Sequence, residues 1–304
     1  MSATEAARLA GRPAIMTRVR SYLELGKLRL SSLAIFAVVA GLYLGATFSP
    51  EPRLVIATTI GTLLVAMAGN ALNMFLEREH DKRMERTRGR PLPTGRLRPA
   101  EVVGFGIVCA AIGITTLAIE TNALATVLCA TILVTYVGVY TPMKRITPLN
   151  TIVGAVPGAL PPVVGYVAAR GVLDAHAACL FAILFVWQIP HFLAISWRYR
   201  EDYARGGMKM LAVSDHDGSM IRRQMLVYTL ALIPISLLPY LVRQGGLPLA
   251  NEAYAAAALL LGMGFLTPVV LASVFRWESG VRATFIASIV YLPLLFVAMV
   301  LGKV

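Results

Sequence analysis

The sequence predicts an all-α polytopic membrane protein, with nine transmembrane helices bundled around a central cavity. Three observations carry that expectation. Of 304 residues, 57% are apolar and only 14% charged, with mean hydropathy +0.70, whereas a soluble chain is typically about 25% charged. Nine apolar stretches approach the roughly 20 residues that an α-helix needs to cross a bilayer. The cationic residues also fall almost entirely in alternate connections, as orientation in a membrane requires.

Residues 1–26 are polar, mixed in charge and lack a short apolar core with a cleavage site, so they read as a cytoplasmic arm and the first apolar segment as a retained span. The spans are expected near 30–49, 53–76, 102–119, 123–141, 148–168, 175–197, 222–242, 252–275 and 283–302. The fifth contains Gly154, Pro157, Gly158, Pro161, Pro162 and Gly165. A helix so composed is expected to kink, to be approached closely by its neighbours and to line an internal pocket. Cys109, Cys129 and Cys179 are isolated in apolar runs and read as small buried hydrophobes, with neither disulfides nor a metal site implied. The whole chain, 1–304, reads as one integral-membrane domain.

Net charge is +12, yet little chain lies outside the bilayer to form a nucleic-acid-binding domain, and no nucleic-acid partner is expected. The excess is topological. Of the 28 Lys and Arg residues, only Arg53, Arg170, Arg243 and Lys303 fall outside the N-terminal arm and the even-to-odd connections. Arg8, Arg12, Arg18, Arg20, Lys27 and Arg29 lie in the arm, and Arg276 and Arg282 flank the gap after the eighth span. The N-terminus is therefore expected in the cytoplasm. The two longest basic connections, 77–101 and 198–221, also carry the carboxylates, and they follow spans two and six. That spacing suggests an internal duplication in which each half supplies one acidic segment.

Chemistry concentrates where the second span ends. Asn73, Glu77 and Asp81 recur every fourth residue, with Asn70 one turn earlier, and so share one helix face. Two carboxylates a turn apart repel unless a cation lies between them, and such oxygen ligands suit Mg²⁺ completed by water and substrate phosphates. In a soluble protein the same run would read as a solvated, mixed-charge helix end. At the end of a transmembrane helix, ionisable side chains are functional candidates. Span six ends with Gln188, His191 and Ser196 and runs into Glu201, Asp202 and Tyr203. Asn70 and Gln188 serve equally well as interhelical hydrogen-bonding glue. Arg86, Arg88 and Arg90 follow the acidic helix in a turn-rich stretch, and Lys144 and Lys209 lie in connections on the same side. Arginine forks and lysine ammonium groups suit phosphate oxygens, although the positive-inside rule accounts for many such residues without a ligand. Carboxylates ringed by cations and opening into an apolar bundle fit an amphiphile with a diphosphate head and a hydrocarbon tail.

The run from Asn73 through Glu77 and Asp81 to MERTRGRPLPTG (84–95) resembles the first acidic motif of the UbiA-type intramembrane prenyltransferases. More narrowly, the resemblance is to the heme O synthase (protoheme IX farnesyltransferase) branch of that family. It rests on RTRGRPLPTG, on YTPMKRITPLNTIVGAVPGALPPVVGY (140–166), on WQIPHF (187–192) and on DYARGGMKML (202–211). The resemblance implies that Asn73, Glu77 and Asp81 form the first Mg²⁺–diphosphate motif, with Glu77 standing where the superfamily usually has Asp. Asp202 matches the start of the second motif, whose later acidic positions fall on Arg205 and Gly206. Lys144 matches a basic position near the diphosphate. The implied metal ligands are Glu77, Asp81 and Asp202. The implied substrate contacts are Arg86, Arg88, Arg90, Tyr203, Lys209 and His191, the last as a ligand or orienter of heme iron or, equally, a core histidine bonded to a neighbouring helix. The substrates would be farnesyl diphosphate and heme B, the products heme O and pyrophosphate, and the setting the bacterial inner membrane, with heme A synthase or oxidase-assembly proteins as partners. A different aromatic acceptor such as 4-hydroxybenzoate or a chlorophyll precursor, an ion-coupled transporter, and a structural heme-binding subunit are the competing readings.

Overall fold

The computed structural model describes residues 15–275 and 279–304. Arg8, Arg12 and Arg276, counted above among the cytoplasmic charges, lie outside the described residues, as does the side chain of Arg29.

Part of the N-terminal arm is helical: α1 (Ile15–Gly26) leads into α2 (Leu28–Gly45), the two axes meeting at a bend of 55°. The chain continues through α3 (Pro52–Asp81), α4 (Pro99–Glu120), α5 (Ala123–Met143) and α6 (Asn150–Arg170). The second half comprises α7 (Ala175–Arg198), the short α8 (Arg200–Arg205) and α9 (Leu211–Ser214), α10 (Ser219–Leu241), α11 (Glu252–Val274) and α12 (Gly280–Leu301). Eight of these helices are long and apolar enough to cross a membrane, and the bent α1–α2 pair supplies a ninth. The protein is an integral membrane protein. Most expected spans match within a few residues, and α3 continues beyond its apolar part, which ends near 76, through Asp81, as the shared helix face of Asn73, Glu77 and Asp81 requires. Glu77 and Asp81 therefore stand on the last turns of a rigid helix, with the connection beginning only after them.

Proline and glycine decide the interior. Leu160 interrupts α6 between Ala159 and Pro161, because Pro161 and Pro162 have no N–H to continue the ladder. The second half of α6 lies against α2 with almost no side chain between them. A Cβ at Gly165 would strike the Val38 carbonyl, and one at Gly41 or Gly45 the carbonyls of Pro162 and Tyr166. Small residues one turn apart are the means by which membrane helices pack without a hydrophobic driving force. At its other end α5 widens into a π-helical turn, Thr135–Tyr140, a feature common at functional sites. One tight hairpin, β1 (Arg243–Gln244) with β2 (Leu247–Pro248), turns through Gly245 and Gly246, both at positive φ where a side chain would be strained.

The bundle has two polar ends. At one, Arg53 pairs with Glu120 at 2.6 Å and Gln244 with Asp174 at 2.9 Å. At the other, the connections 82–98, 144–149 and 199–218 meet. The Lys209 amide donates to the Lys144 carbonyl at 2.7 Å, Asn150 Nδ2 to the Lys209 carbonyl at 3.0 Å, and His80 Nδ1 to the Gly206 carbonyl at 2.6 Å. Arg96 binds Glu24 of α1 at 2.9 Å. Among the described residues, α1 and the three connections after α3, α5 and α7, all assigned by the charge pattern to one membrane face, lie at one end of the molecule.

Candidate active site

The inner end of α3 presents Asn73, Glu77 and Asp81 to that polar end, and all three are buried. Asn73 Nδ2 donates to Thr141 Oγ1 at 3.0 Å, and Thr141 Oγ1 in turn donates at 2.8 Å to the Tyr136 carbonyl, which also accepts the Thr141 backbone N–H in the π-helical turn. The turn thus positions the end of α5, from which Lys144 reaches across to Glu77 at 2.9 Å. The Lys144 ammonium also sits 4.5 Å from the centroid of the Tyr140 ring. Burial opposes its charge, but the Glu77 carboxylate outweighs burial and holds the ammonium protonated well above the usual lysine range. Asp81 is fully buried, and Arg90 Nη1 bridges both of its oxygens at 2.9 and 2.8 Å.

The sequence suggested one cation shared between two carboxylates. The fold instead gives each its own organic cation. Lys27 is a third basic side chain within electrostatic range of Glu77, Asp81, Arg90 and Lys144. It was counted above only among topological charges. It sits at the α1–α2 bend with φ 45°, the one non-glycine residue at positive φ among the described residues. Asn70 holds that bend, donating to the Gly26 carbonyl at 3.0 Å and to Ser31 Oγ at 3.2 Å. A lysine before a span is ordinary, and only the strained backbone distinguishes this one; no sequence signal did. His80, also unremarked in the sequence, ties α3 to Gly206 and lies 3.4 Å from Arg145.

The second acidic segment behaves differently. Asp202 accepts from the backbone N–H of Glu85 at 2.9 Å and of Arg86 at 3.2 Å, and from Arg205 at 2.5 Å. Burial alone would raise its pKa, but the Arg205 and backbone donors hold the carboxyl below the usual range. Asp202 is thereby a clasp that fastens the turn after α3 to α8. Among the described residues no three of Asp, Glu, His and Cys converge as a metal site, so the expected Glu77–Asp81–Asp202 ligand set is not gathered in this structure. Arg205 occupies an acidic position of the wider superfamily motif, and here it is the counter-ion of Asp202. At Gly206, the other such position, a Cβ would press on Met84, which packs with Met208 and Met210.

The remaining candidates divide. Arg86 donates to the Tyr203 hydroxyl at 3.2 Å. Arg88 and Lys209 are exposed, and their side chains have no partner among the described residues. Gln188 binds the Ala155 carbonyl of α6 at 2.7 Å as interhelical glue, whereas Ser196 binds the Leu193 carbonyl within α7 at 2.9 Å. His191 lies between Trp187 and Phe285, with ring centroids 5.0 and 5.2 Å away, and its Nδ1 is 2.7 Å from Ser288 Oγ. Because the Ser288 hydroxyl hydrogen is committed to the Phe285 carbonyl, Nδ1 must donate, and Nε2 keeps its lone pair.

Residues 34–289 match the UbiA prenyltransferase family. Sequence relatives include the protoheme IX farnesyltransferase of Solibacter usitatus (strain Ellin6076), 42% identical over 94% of this chain and 99% of that one. Another is the protoheme IX farnesyltransferase of Anaeromyxobacter sp. (strain Fw109-5), 44% identical over 99% and 98%. Among solved structures, a digeranylgeranylglyceryl phosphate synthase superposes with TM-score 0.76 at 15% identity, covering 94% of this chain and 98% of that one. A UbiA homolog from Archaeoglobus fulgidus bound to GPP and Mg²⁺ does so with TM-score 0.61 at 13% identity, covering 92% and 99%.

Proposed function

The chain belongs to the UbiA prenyltransferase family, and we propose that within it this protein transfers a farnesyl group from farnesyl diphosphate to a vinyl group of protoheme IX, with addition of water, giving heme O and pyrophosphate. The acceptor rests on the full-length relatives that carry that activity in their names. The chemistry rests on one observation: two buried carboxylates on α3, each held by a cation that is itself a phosphate ligand by type.

Two carboxylates a turn apart with an amide beside them suit Mg²⁺ that is otherwise coordinated by water and diphosphate, which is how Mg²⁺ is usually held. When bound at Glu77 and Asp81, it would supply neutralising charge to the leaving group. Lys144, Arg90 and Lys27 would bind diphosphate oxygens and stabilise the negative charge that grows as the allylic C–O bond breaks and its electron pair leaves with pyrophosphate. Asn73 and Thr141 fix the angle between α3 and the end of α5, so that carboxylates and ammonium face each other. The π electrons of the vinyl group then close on the farnesyl cation, and water adds to the resulting carbocation and loses a proton. Asp202, through its hold on Glu85 and Arg86, positions the connection that carries Arg90. His191, with a bare Nε2, is suited to orient the heme iron. The polar end that holds these residues is taken to face the cytoplasm, in the bacterial inner membrane.

The test is to incubate membranes containing the protein with heme B, farnesyl diphosphate and Mg²⁺ and to separate the extracted hemes by chromatography. A more hydrophobic heme is the expected product. Its absence, together with prenylation of 4-hydroxybenzoate, would transfer the reading to a different acceptor.

A further inference from the structure

Away from the polar end, the last span meets α7 through a single serine. Resting on the prenyltransferase reading above, we propose that Ser288 of α12 is a positioning residue for the porphyrin acceptor. It fixes the ring plane and tautomer of His191, so that Nε2 ligates the heme iron and thereby sets where the vinyl group stands. WQIPHF (187–192) carried a resemblance, whereas nothing in the sequence distinguished Ser288 within its apolar span.

The contact is built from local spacing on both helices. Trp187 and His191 are four residues apart on α7, and Phe285 and Ser288 three apart on α12, so each pair shares a helix face. Where the faces meet, Ser288 acts twice. Its backbone carbonyl accepts the Trp187 Nε1–H at 2.9 Å, and its hydroxyl oxygen accepts from His191 Nδ1 at 2.7 Å. The hydroxyl hydrogen is spent on the Phe285 carbonyl, 2.6 Å away, so towards the histidine Oγ can only accept. Ser288 and Trp187 are buried, which keeps water from competing for these bonds. The Trp187 and Phe285 rings stack on the imidazole at interplanar angles of 21° and 27°. His191 is thus held by two rings and by one edge nitrogen.

The other edge stays free. His191 is half-buried; among the described residues its Nε2 has no hydrogen-bond partner, and it is not one of the polar atoms sealed in the core. Because Nδ1 carries the proton, Nε2 holds an in-plane lone pair, which stacking on a ring face does not obstruct. A histidine whose only task was to join α7 to α12 would be complete with Nδ1 alone. The arrangement is that of a heme ligand with its outer partner. A neutral imidazole binds iron through one nitrogen, while donation from the other fixes the tautomer, orients the ring and raises its basicity. The vinyl groups belong to the rigid porphyrin, so iron held at Nε2 confines the reacting carbon to a fixed distance from that nitrogen.

The test needs no turnover. Purified protein in an uncharged detergent is titrated with heme B and with metal-free protoporphyrin IX, which has the same ring, vinyl groups and propionates but no axial bond. Binding is followed by the Soret absorbance, and resonance Raman of the reduced heme complex reads the iron–histidine stretching band. S288A is expected to bind heme B about tenfold more weakly, the lower end of what loss of an outer partner costs. It should bind protoporphyrin IX as wild type does, and its iron–histidine band should move to lower frequency. H191F, which keeps a ring in the stack, should lose the band, and S288A should weaken heme B no further in that background. An equal loss for both porphyrins in S288A would make Ser288 a packing residue and overturn the proposal. So would unaltered heme affinity and band in S288A, absence of the band in wild-type protein, or its persistence in H191F. Failure of farnesyl transfer with the expected binding pattern intact would strike only the assigned reaction. Wild-type protein that binds neither porphyrin would strike the acceptor reading and this inference together.

Discussion

Glu77 and Lys144 show what a buried ion pair contributes when it is also the reaction centre. Their side chains are 6% and 13% exposed, so removing one partner strands a charge in a poorly solvated site, at about 3 kcal/mol or more. Lys144→Met is therefore expected to lower the thermal midpoint in detergent more than Glu77→Gln does, and the double variant should recover part of the loss. Additive losses in the double variant would show that the two side chains are not coupled. Glu77→Gln and Asp81→Asn should each abolish farnesyl transfer while the protein still accumulates in the membrane; activity in both would remove these carboxylates from the mechanism. Asp202 calls for a different expectation. Its folded pKa lies below the unfolded 3.8, so its stabilisation is present above that value and is lost as pH falls through the folded value. Protection of the Glu85 and Arg86 amides from hydrogen exchange, relative to the intrinsic rate at each pH, should fall only below pH 3.8, and Asp202→Asn should show the same loss of protection at neutral pH. Unchanged exchange in that variant would leave the clasp without effect. The α3 carboxylates could be read from the sequence because spacing of four is local. The occupation of Asp202 by two backbone N–H groups from a distant part of the chain could not be read.

The α2–α6 contact is the element whose geometry leaves least tolerance. Gly165 faces backbone atoms of α2, the carbonyl of Val38 and the amide of Leu42, and neither can swing aside. Gly165→Ala is expected to force the helices apart at a cost of about 1–3 kcal/mol, read as a lower thermal midpoint and reduced accumulation. Around Gly104 in α4, a Cβ would meet no atom within 4 Å, and Ala there should be neutral or stabilising by up to about 1 kcal/mol, as for any open helical glycine. Equal effects at the two positions would refute close packing as the reason for Gly165. The sequence made the kink and the close neighbours of α6 legible, through its prolines and glycines. It did not show that the neighbour is α2, because Gly41 and Gly45 identify a packing face without identifying the partner. The helix through Asp81 was legible from the spacing of four, although hydropathy ends near 76 where the charges begin.

On the scale of the whole molecule, the polar end is closed by Lys144 and Arg90, each gripping a carboxylate of one helix, with Lys27 of a third segment within electrostatic range. Lys144 follows α5, Arg90 lies in the connection after α3, and Lys27 sits at the α1–α2 bend. Mg²⁺ alone would have to displace these cations and leave them unpaired in a buried site, which disfavours binding. A metal–diphosphate complex satisfies both sides at once, offering a cation to Glu77 and Asp81 and phosphate oxygens to the lysines and arginine. Binding should therefore be cooperative between metal and diphosphate. In detergent, Mg²⁺ alone is expected to move the thermal midpoint little, pyrophosphate alone little, and the two together substantially, since a ligand at a hundred times its Kd stabilises by about 2.7 kcal/mol. A chelator should reverse the shift, and Lys144→Met should diminish it even though Lys144 is not a metal ligand. A full shift with Mg²⁺ alone would mean that the carboxylates already form a free metal site and that the ion pairs seen here do not guard it. Apolar runs and cationic connections made the spans and the shared end legible. The meeting of Lys144 with Glu77 was not, because it depends on how α5 packs on α3, which neither segment's own periodicity records.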